Sequence, residues 1–417
     1  MELASKCLEG KTHSMIEIKD KKECCGCHAC YSACPKQCIT IKEDEEGFLY
    51  PHVDVSNCIE CGLCEKVCPI IQYRQPDPKM QKAFVVQHRD EAVLAQSTSG
   101  GAYTAIARWV LGKGGVVFGA HLNSQFEAEH CYVERYEDLW QFRNSKYVQS
   151  KIGDTYKLVR DFLKEGRIVL YSGTPCQLEG LFQFLRNKQY DNLYTVDVVC
   201  RAVPSPLVLR KYLEVQKGLL ATDLKDVKFR DKYHGYKYSS MSLFGKNGKD
   251  YHEGIDTDVY LRSFFSGTNI RLSCPDCKFR NRYRRTDFTI WDCFTIDEFS
   301  SELDNDKGAT RILCQSDRAV DILNELTSEM KIIEVDSEKA VRGVKELVSG
   351  PSLHPQREAF FRDLNTMPAA EVFQKYFPIT LRHRLEKQAR LWSNRLRIYK
   401  MMKKAFKLVH GNGEVKR

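Results

Sequence analysis

The sequence predicts a multidomain α+β and α/β fold, in which a small cysteine-rich module precedes a larger mixed α/β domain and a basic helix ends the chain. Three observations predict this fold class. Residues 16–75 hold ten of the eighteen cysteines. Beyond Ala83, apolar runs typical of strands alternate with amphipathic helical stretches, which is the pattern of an α/β domain. Residues 381–417 contain twelve Lys or Arg against two acidic residues.

The size and composition of the chain fit a folded protein. Its 417 residues, 42% of them apolar, are enough for a sizeable core in two or three domains. The N-terminus has no apolar segment that would direct it to an oxidising compartment, so we expect a cytoplasmic protein with reduced, metal-bound thiols. No stretch approaches the ~18 consecutive apolar residues that a membrane-spanning helix needs.

Four segments follow from the pattern along the chain. The linker from Gln72 to Met80 contains two prolines and ends the cysteine-rich segment. We predict a polar leader over 1–15, the cysteine-rich module over 16–75, the mixed α/β domain over 80–350 and a basic helical tail over 355–417.

The module contains two copies of one cysteine motif. Each copy has three cysteines at intervals of three residues, and a Cys-Pro pair follows four residues later. The three close thiolates hold one face of a cubane, and the cysteine before proline ligates the other cluster. The spacing therefore predicts a ferredoxin-type module with two 4Fe-4S clusters. The first cysteine set is Cys24, Cys27, Cys30 and Cys68, and the second is Cys34, Cys58, Cys61 and Cys64.

Zinc is the alternative metal for such thiolates. Zinc sites usually use two CxxC pairs separated by a longer loop, whereas each copy here has three cysteines within seven residues. The spacing favours iron–sulfur clusters. Cys25 and Cys38 lie beside these residues and are interpreted as spare small apolar side chains.

The positive charge of the chain is confined to its C-terminal segment. The net charge is +9, and residues 381–417 contribute +10 (twelve minus two), so the residues before them sum to −1. No basic face interleaved with aromatic residues is found, and we predict no nucleic-acid partner. The segment has two interpretations, docking on this protein's own body or a partner subunit, and peripheral contact with an anionic membrane. Its apolar residues recur at helical spacing, at Leu385, Ala389, Trp392, Leu396, Tyr399 and Phe406.

The α/β domain contains a glycine pair that opens a helix. Ser99, Gly100 and Gly101 precede an apolar helical stretch, where backbone N–H groups can approach a phosphate. By itself this pattern also fits a simple turn.

Six motifs together are more specific. Along the chain they are STSGG, RNSKYVQS, YSGTPCQLEG, VDVVCRAVPSP, FRDKYHGY and SCPDCKF. In this order they resemble the coenzyme F-420 hydrogenase/dehydrogenase beta-subunit family, in the bacterial branch fused to an N-terminal two-cluster ferredoxin domain. With the module, the resemblance covers roughly residues 16–320. It implies an FAD-containing oxidoreductase that passes electrons between iron–sulfur clusters and a second redox partner.

The resemblance also implies site residues. A third 4Fe-4S cluster would be held by four distant cysteines, and their alternative interpretation is a CxxC zinc half-site or free dithiol beside two buried cysteines. The residues implied for FAD are Ser99, Gly100, Gly101, Ser145, Lys146 and Tyr147, and the third cysteine set is Cys176, Cys200, Cys274 and Cys277.

The sequence departs from the family pattern at two places on the substrate side, so the family's residue roles are not carried over there. Arg201 and Ala202 replace a His-Gly pair, and Trp291, Asp292 and Cys293 replace part of a GDFWG-like stretch. The run KFRNRYRR adds five cationic residues beside the CxxC pair. It would suit an anionic coenzyme or substrate, although a solvated basic loop is the favoured interpretation.

The sequence thus predicts an iron–sulfur flavoprotein oxidoreductase. Electrons would pass between the 4Fe-4S clusters and a flavin, and on to a hydride carrier, a redox partner protein or a small organic substrate. Two alternatives remain: a ferredoxin-dependent reductase of an organic substrate, and a non-catalytic electron-transfer subunit of a larger complex.

Overall fold

The computed structural model describes residues 15–395. Of the predicted leader only Met15 falls within this range, and Leu396, Tyr399 and Phe406 of the predicted basic helix lie outside the described residues. Within the described range, no helix is long and apolar enough to cross a membrane.

The cysteine-rich module repeats one local structure. In each motif copy a residue with left-handed backbone, His28 (φ 59°) or Gly62 (φ 67°), precedes a short helix that carries the third cysteine of that copy. An antiparallel hairpin connects the two copies. Single 3-10 turns at Lys21–Glu23 and Val55–Asn57 lead into the copies. The elements are α1 (Ala29–Ala33), β1 (Ile39–Glu43), β2 (Leu49–Val53) and α2 (Leu63–Lys66).

One large mixed sheet forms the centre of the second domain. Its strands are β3 (Lys82–His88), β4 (Val116–Leu122), β5 (Ala128–Val133), β6 (Val169–Gly173), β7 (Leu193–Val198), β11 (Phe288–Asp292), β12 (Thr310–Cys314) and β13 (Met330–Val335). Their order across the sheet is β13-β3-β12-β11-β7-β6-β4-β5. The four strands β11, β7, β6 and β4 are mutually parallel, and the flanking strands pair antiparallel.

Helices cover both faces of this sheet, because its central strands are apolar on both sides. They are α3 (Glu91–Gln96), α4 (Ala102–Gly112), α5 (Thr155–Lys164), α6 (Pro175–Phe184), α9 (Asp317–Glu325) and α10 (Ser337–Val341). Val117 and Leu170 pack against α4 and α9 on one face, while Phe118 and Tyr171 pack against α5 and α6 on the other. Short 3-10 segments lie at Tyr136–Phe142, Ile296–Glu298 and Lys345–Leu347.

A second core surrounds a small antiparallel sheet. Phe360 and Phe373 from the predicted C-terminal tail are buried in it beside Tyr212 and Tyr260. The tail predicted over 355–417 therefore begins inside the core. The elements are α7 (Pro206–Leu220), β8 (Leu224–Asp231), β9 (Ser240–Gly245), β10 (Asp250–Gly254), α8 (Val259–Phe265), α11 (Arg357–Thr366) and α12 (Ala369–Tyr376).

The helix α13 (Leu381–Arg395) lies on the surface of the body. It is attached through polar groups, because Lys387 pairs with Glu253 at 2.6 Å and a second basic residue of the helix pairs with an aspartate of the body. Its apolar stripe faces solvent, with Leu385 60% and Trp392 62% exposed. The predicted amphipathic helix thus contacts the body with its polar face.

The module packs closely on the second domain. The carboxylate of Glu46, in the hairpin turn, is buried with Arg357 of α11, whose two terminal nitrogens lie 2.6 and 2.5 Å from its oxygens. A Cβ atom at Gly180 of α6 would lie 2.8 Å from the Cβ of Cys27, so the glycine permits this approach. The interface joins residues from both ends of the described chain.

Candidate iron–sulfur and flavin site

The first cysteine set comes together where the module meets the second domain. The thiols of Cys30 and Cys68 lie within electrostatic reach of each other and of both Cys24 and Cys27. Burial is the largest influence on Cys30 and raises the pKa of its thiol well above the usual value. Four convergent thiols in a buried position suit a cubane, whose iron atoms replace the protons.

The second set lines a small open pocket nearer the surface of the module. All four of its thiols, Cys34, Cys58, Cys61 and Cys64, line this space. The backbone N–H of Ile16 donates to the Cys64 sulfur at 3.2 Å. Hydrogen bonds of this kind to cluster sulfurs raise the reduction potential. The donor set and the cavity fit a second cubane.

Cys38 also lines this cavity, which the motif spacing does not predict. Its sulfur lies 3.3 Å from the sulfur of Cys34. The motif gives no signal for this contact, because Cys38 enters the cavity from the start of the hairpin.

The third set assembles at the carboxyl edge of the large sheet. Cys176 lies in the first turn of α6 directly after β6, and Cys200 follows β7, the parallel neighbour of β6. Carboxyl ends of adjacent parallel strands meet at one edge, so these two residues are neighbours. Cys274 and Cys277 reach them from a loop, and all four thiols lie within electrostatic reach of one another.

Two hydrogen-bond donors organise the third set. The Val203 N–H donates to the Cys274 sulfur at 3.3 Å. The Arg280 guanidinium donates to the carbonyl oxygens of Cys200 at 3.0 Å and Cys274 at 3.4 Å. Among residues 15–395, no group of three or more His, Cys, Asp or Glu is arranged around a single metal ion. A cubane binds each thiolate at a different iron atom, so its ligands need not converge on one point.

Cys25 lies between the first and third sets. Its thiol interacts with the thiols of Cys176 and Cys27. Hydrogen bonding with Cys176 acts to lower the pKa of Cys25, but hydrogen bonding with Cys27 and burial outweigh it and raise that pKa well above the usual value. The residue interpreted as a spare apolar side chain therefore stands at the boundary between two cysteine sets.

The two loops implied for FAD lie side by side. The Ser145 N–H donates to the Thr98 hydroxyl at 2.8 Å, which ties the segment carrying Lys146 and Tyr147 to the segment carrying Ser99. Ser99 in turn bonds to the Thr310 hydroxyl at 2.8 Å.

The glycines of the first loop have a packing role. A Cβ at Gly100 would lie 2.3 Å from the Val86 carbonyl oxygen, and Gly101 has φ +80° beside His88. These positions require glycine because backbone segments approach closely there.

Lys146 is held within its own loop. Its Nζ donates to the carbonyl oxygens of Gln141 at 2.7 Å and Arg143 at 2.8 Å. Burial lowers the pKa of Lys146 to about 7. The residue stabilises the loop conformation through these contacts.

A charged pair that no spacing pattern predicts lies next to these loops. The guanidinium of Arg230 forms a short contact with the Asp292 carboxylate and lies 3.4 Å from the Tyr147 hydroxyl. Burial acts to lower the pKa of Arg230, but the charges of Asp292, Tyr147 and Tyr236 and the hydrogen bond to Asp292 together outweigh it and raise that pKa. The Nη2 of Arg230 is buried and finds no hydrogen-bond partner within the described residues 15–395. Their motifs, FRDKYHGY and WDCFT, are the only sequence signal for this pair.

The five cationic residues of KFRNRYRR all have protein acceptors. Arg284 forms a buried pair with Asp197 at 2.9 Å, and Arg280 donates to the carbonyls around the third set. Arg282 and Arg285 pair with glutamates, and Lys278 donates to a module carbonyl oxygen. The run is therefore attached to the protein along its length, and Arg280 contacts the backbone of the third set, while Lys278 and Arg285 remain exposed.

Comparison with known families identifies both parts of the chain. Residues 166–340 match the family model for the C terminus of the beta subunit of coenzyme F-420 hydrogenase/dehydrogenase. Residues 23–70 match the 4Fe-4S dicluster domain. These two matches support the resemblance of residues 166–340 to the coenzyme F-420 hydrogenase/dehydrogenase beta subunit and of residues 23–70 to a 4Fe-4S dicluster domain. All four cysteines of the third set lie inside the beta-subunit match, whereas both loops implied for FAD precede it.

Individual relatives cover different parts of the beta-subunit-like chain. The F subunit of F(420)H(2) dehydrogenase from Methanosarcina mazei is 23% identical over 45% of this chain and 55% of its own length. The I 2 subunit of NADH-quinone oxidoreductase from Geobacter metallireducens is 35% identical over 14% of this chain and 48% of its own length. The chain thus spans about half the length of these two relatives.

Two further comparisons concern the module and the whole fold. Ferredoxin 7Fe of Hydrogenibacillus schlegelii is 34% identical over 15% of this chain and 76% of its own length. A structure of the F-420-reducing nickel–iron hydrogenase complex from Methanosarcina barkeri aligns with 72% of this chain and 94% of its own chain, at 12% identity and a TM-score of 0.40.

Proposed function

We propose that this chain is an iron–sulfur flavoprotein oxidoreductase that passes electrons between its 4Fe-4S clusters and a flavin, and on to a hydride carrier or organic substrate. The observation that carries the proposal is the order of the three cysteine sets. Cys64 of the second set lies within reach of Cys30 and Cys68 of the first. Cys25, adjacent to the first set, contacts Cys176 of the third. A continuous series of thiol sites leads from the module into the second domain.

FAD is the flavin that we propose for the two joined loops. The contact between Thr98 and Ser145 and the unpartnered buried Nη2 of Arg230 support this position. A bound flavin would couple one-electron transfer from the clusters to a two-electron step. Tyr147 has electrostatic contact with Arg230 and Cys200, so it connects this position to the third set.

The iron, sulfide and flavin content of the anaerobically purified full-length protein tests the proposal. Three cubanes require about twelve irons and about twelve sulfides per chain, eight of each from the module. The proposal also requires about one FAD. Full iron without flavin would contradict the flavoprotein and favour the alternative, a non-catalytic electron-transfer subunit.

A variant of the full chain tests the third cluster separately. Cys200→Ser should lose about four of about twelve irons and keep both module clusters, because it removes a ligand only from the third set. Cys131→Ser is a matched control, since Cys131 is a half-buried free cysteine on β5 outside the three sets. Unchanged iron in Cys200→Ser would contradict a third cluster at this site.

Flavin content and substrate tests separate the enzyme alternatives. A ferredoxin-dependent reductase would oxidise its flavin with an organic substrate in the absence of any hydride carrier. If reduced F-420 or a nicotinamide instead reduces the bound flavin in a stopped-flow mixing experiment, the hydride-carrier assignment is supported.

We also propose that α13 contacts an anionic membrane surface. Its exposed Leu381, Leu385 and Trp392 form the unpartnered apolar face. Residues 381–394 carry four Lys or Arg against one Glu, so the helix is positively charged around this face. Such a helix gains both apolar burial and attraction to anionic headgroups.

Vesicle co-sedimentation tests this contact. The protein should bind phosphatidylcholine vesicles that contain phosphatidylglycerol, and binding should weaken at high salt because salt screens the charge term. Trp392→Ser should reduce binding, whereas Trp140→Ser, which changes a tryptophan exposed to 63% elsewhere, should not. Equal binding by both variants would contradict the assignment.

A further inference from the structure

Arg271 is buried at the junction of the first and third cysteine sets. The residue is 0% exposed. Its Nε donates to the carbonyl oxygen of Cys24 at 2.8 Å, and its Nη1 donates to that of Leu49 at 3.1 Å. Its own carbonyl oxygen accepts from the Cys274 N–H at 3.0 Å. One residue therefore links the backbone of a first-set cysteine to that of a third-set cysteine.

Among residues 15–395, no carboxylate pairs with the guanidinium of Arg271. In the described part of the chain no ion pair involves it, whereas the buried guanidinium groups of Arg357 and Arg284 pair with Glu46 and Asp197. Its Nη2 is buried and has no hydrogen-bond partner among the residues that the structure describes. A buried cation without a counter-charge is costly, so a negative charge is expected beside this group.

Cysteine thiols surround Arg271 where a carboxylate would be expected. Among titratable groups, Cys24, Tyr50, Cys25 and Cys274 have the largest electrostatic effects on Arg271. The guanidinium carbon lies 4.0 Å from the centre of the Tyr50 ring, which adds a cation–π contact. A cubane with four thiolates has a net charge of about −2 when oxidised and about −3 when reduced. Assembled clusters on both sides would therefore supply the missing negative charge.

We propose that Arg271 is the counter-charge shared by the clusters of the first and third sets, and that it raises the reduction potential of both. A fixed cation stabilises the more negative, reduced form more than the oxidised form. Arg271 acts as a positioning residue, because its hydrogen bonds also hold Cys24 and Cys274 at the boundary between the module and the second domain. For the third set the inference rests on the proposed third cluster; for the first set it needs only the dicluster domain.

An anaerobic redox titration of the full-length protein, followed by electron paramagnetic resonance, tests this role. Arg271→Gln keeps a donor but removes the charge. We expect wild-type iron content and a fall of about tenfold in the equilibrium constant for reducing the first cluster, which is a shift of about 59 mV for a one-electron couple. Arg271→Lys, which keeps the charge, should restore most of the potential.

A buried arginine elsewhere provides the matched control. Arg311 is also buried and donates to Ala340 O and Thr295 Oγ1, but its sulfur neighbour is Cys293, which belongs to none of the three sets. Arg311→Gln should leave both potentials unchanged. An unchanged first-cluster potential in fully iron-loaded Arg271→Gln would overturn the proposal.

Two further outcomes also test the proposed role of Arg271. If Arg271→Gln loses iron, Arg271→Lys becomes the deciding variant: recovery of iron and potential supports the counter-charge, and failure to recover them overturns it. If wild-type protein contains only about eight irons, the proposed third cluster fails, while the first-cluster shift in Arg271→Gln still tests Arg271.

Discussion

The module and the second domain build their cysteine sets in opposite ways. The first and second sets come from residues 24–68, where two motif copies repeat one local structure. The third set joins Cys176 to Cys277 across 101 residues, and it exists only because parallel strands end at one sheet edge. Local motifs therefore determine the module sites, whereas the third site depends on the whole domain.

Loss of a first-set ligand should have the largest effect on cluster content. Cys30 lies within reach of Cys64 of the second set, and its set packs on α6 through Cys27. Because cluster ligation and folding are coupled in so small a core, Cys30→Ser should lose the first cluster and destabilise the second. Iron analysis should show a larger loss than in Cys200→Ser. An equal loss of iron in both variants would contradict the expected coupling between the two module clusters.

The ion pair that joins the two regions should have the next largest effect. Glu46→Gln leaves Arg357 buried without its counter-charge, which should lower the free energy of unfolding by about 3–5 kcal/mol. Urea unfolding measures this change. The double variant Glu46→Gln/Arg357→Met should recover part of the loss. Glu302→Gln, at a surface pair with Lys331, serves as a control and should leave the midpoint unchanged.

A substitution in the glycine turn before α4 tests the packing role of Gly100 separately from any role in cofactor binding. Gly100→Ala places a Cβ against Val86 O, so we expect a loss of about 1–3 kcal/mol in unfolding free energy even in flavin-free protein. The matched control is Gly218→Ala in α7, where no atom lies within 4 Å of the added Cβ. There the expected change is a stabilisation of about 0.4–1 kcal/mol. Normal stability in Gly100→Ala would contradict the packing role.

Cys25→Ser should have the smallest effect. The third set has four thiols without Cys25, so the variant should keep all its iron and change only the spectrum of the cluster nearest Cys176. Electron paramagnetic resonance and iron analysis measure both quantities. Loss of about four irons would instead make Cys25 a ligand and redefine the third set.

The correct predictions concern features that depend on residues close together in the sequence. The module, its doubled motif and the alternation of strands and helices follow from spacing and periodicity, and the dicluster domain and the family match confirm the corresponding predictions. The positions of Cys176 and Cys200 at strand ends can be predicted in the same way, because the sequence shows a strand-like apolar run followed by a cysteine.

The sequence does not reveal contacts between residues that lie far apart in the chain. Arg271 precedes the CxxC pair without any pattern that reveals its contact with Cys24, and Glu46 gives no sign of a partner 311 residues away. The cationic run beside the CxxC pair has the composition of a solvated loop, yet Arg284 is buried against Asp197. Composition cannot show which charges are paired, because pairing depends on the three-dimensional approach of distant segments.

The Glu46–Arg357 pair also has a consequence for biosynthesis. Domains generally fold in the order of their synthesis, so the module with Glu46 emerges from the ribosome long before Arg357 does. The contact that fastens α11 to the hairpin turn therefore forms only after all three cysteine sets have been translated. Until Arg357 has been translated, the carboxylate of Glu46 lacks the counter-charge with which it is buried in the folded chain.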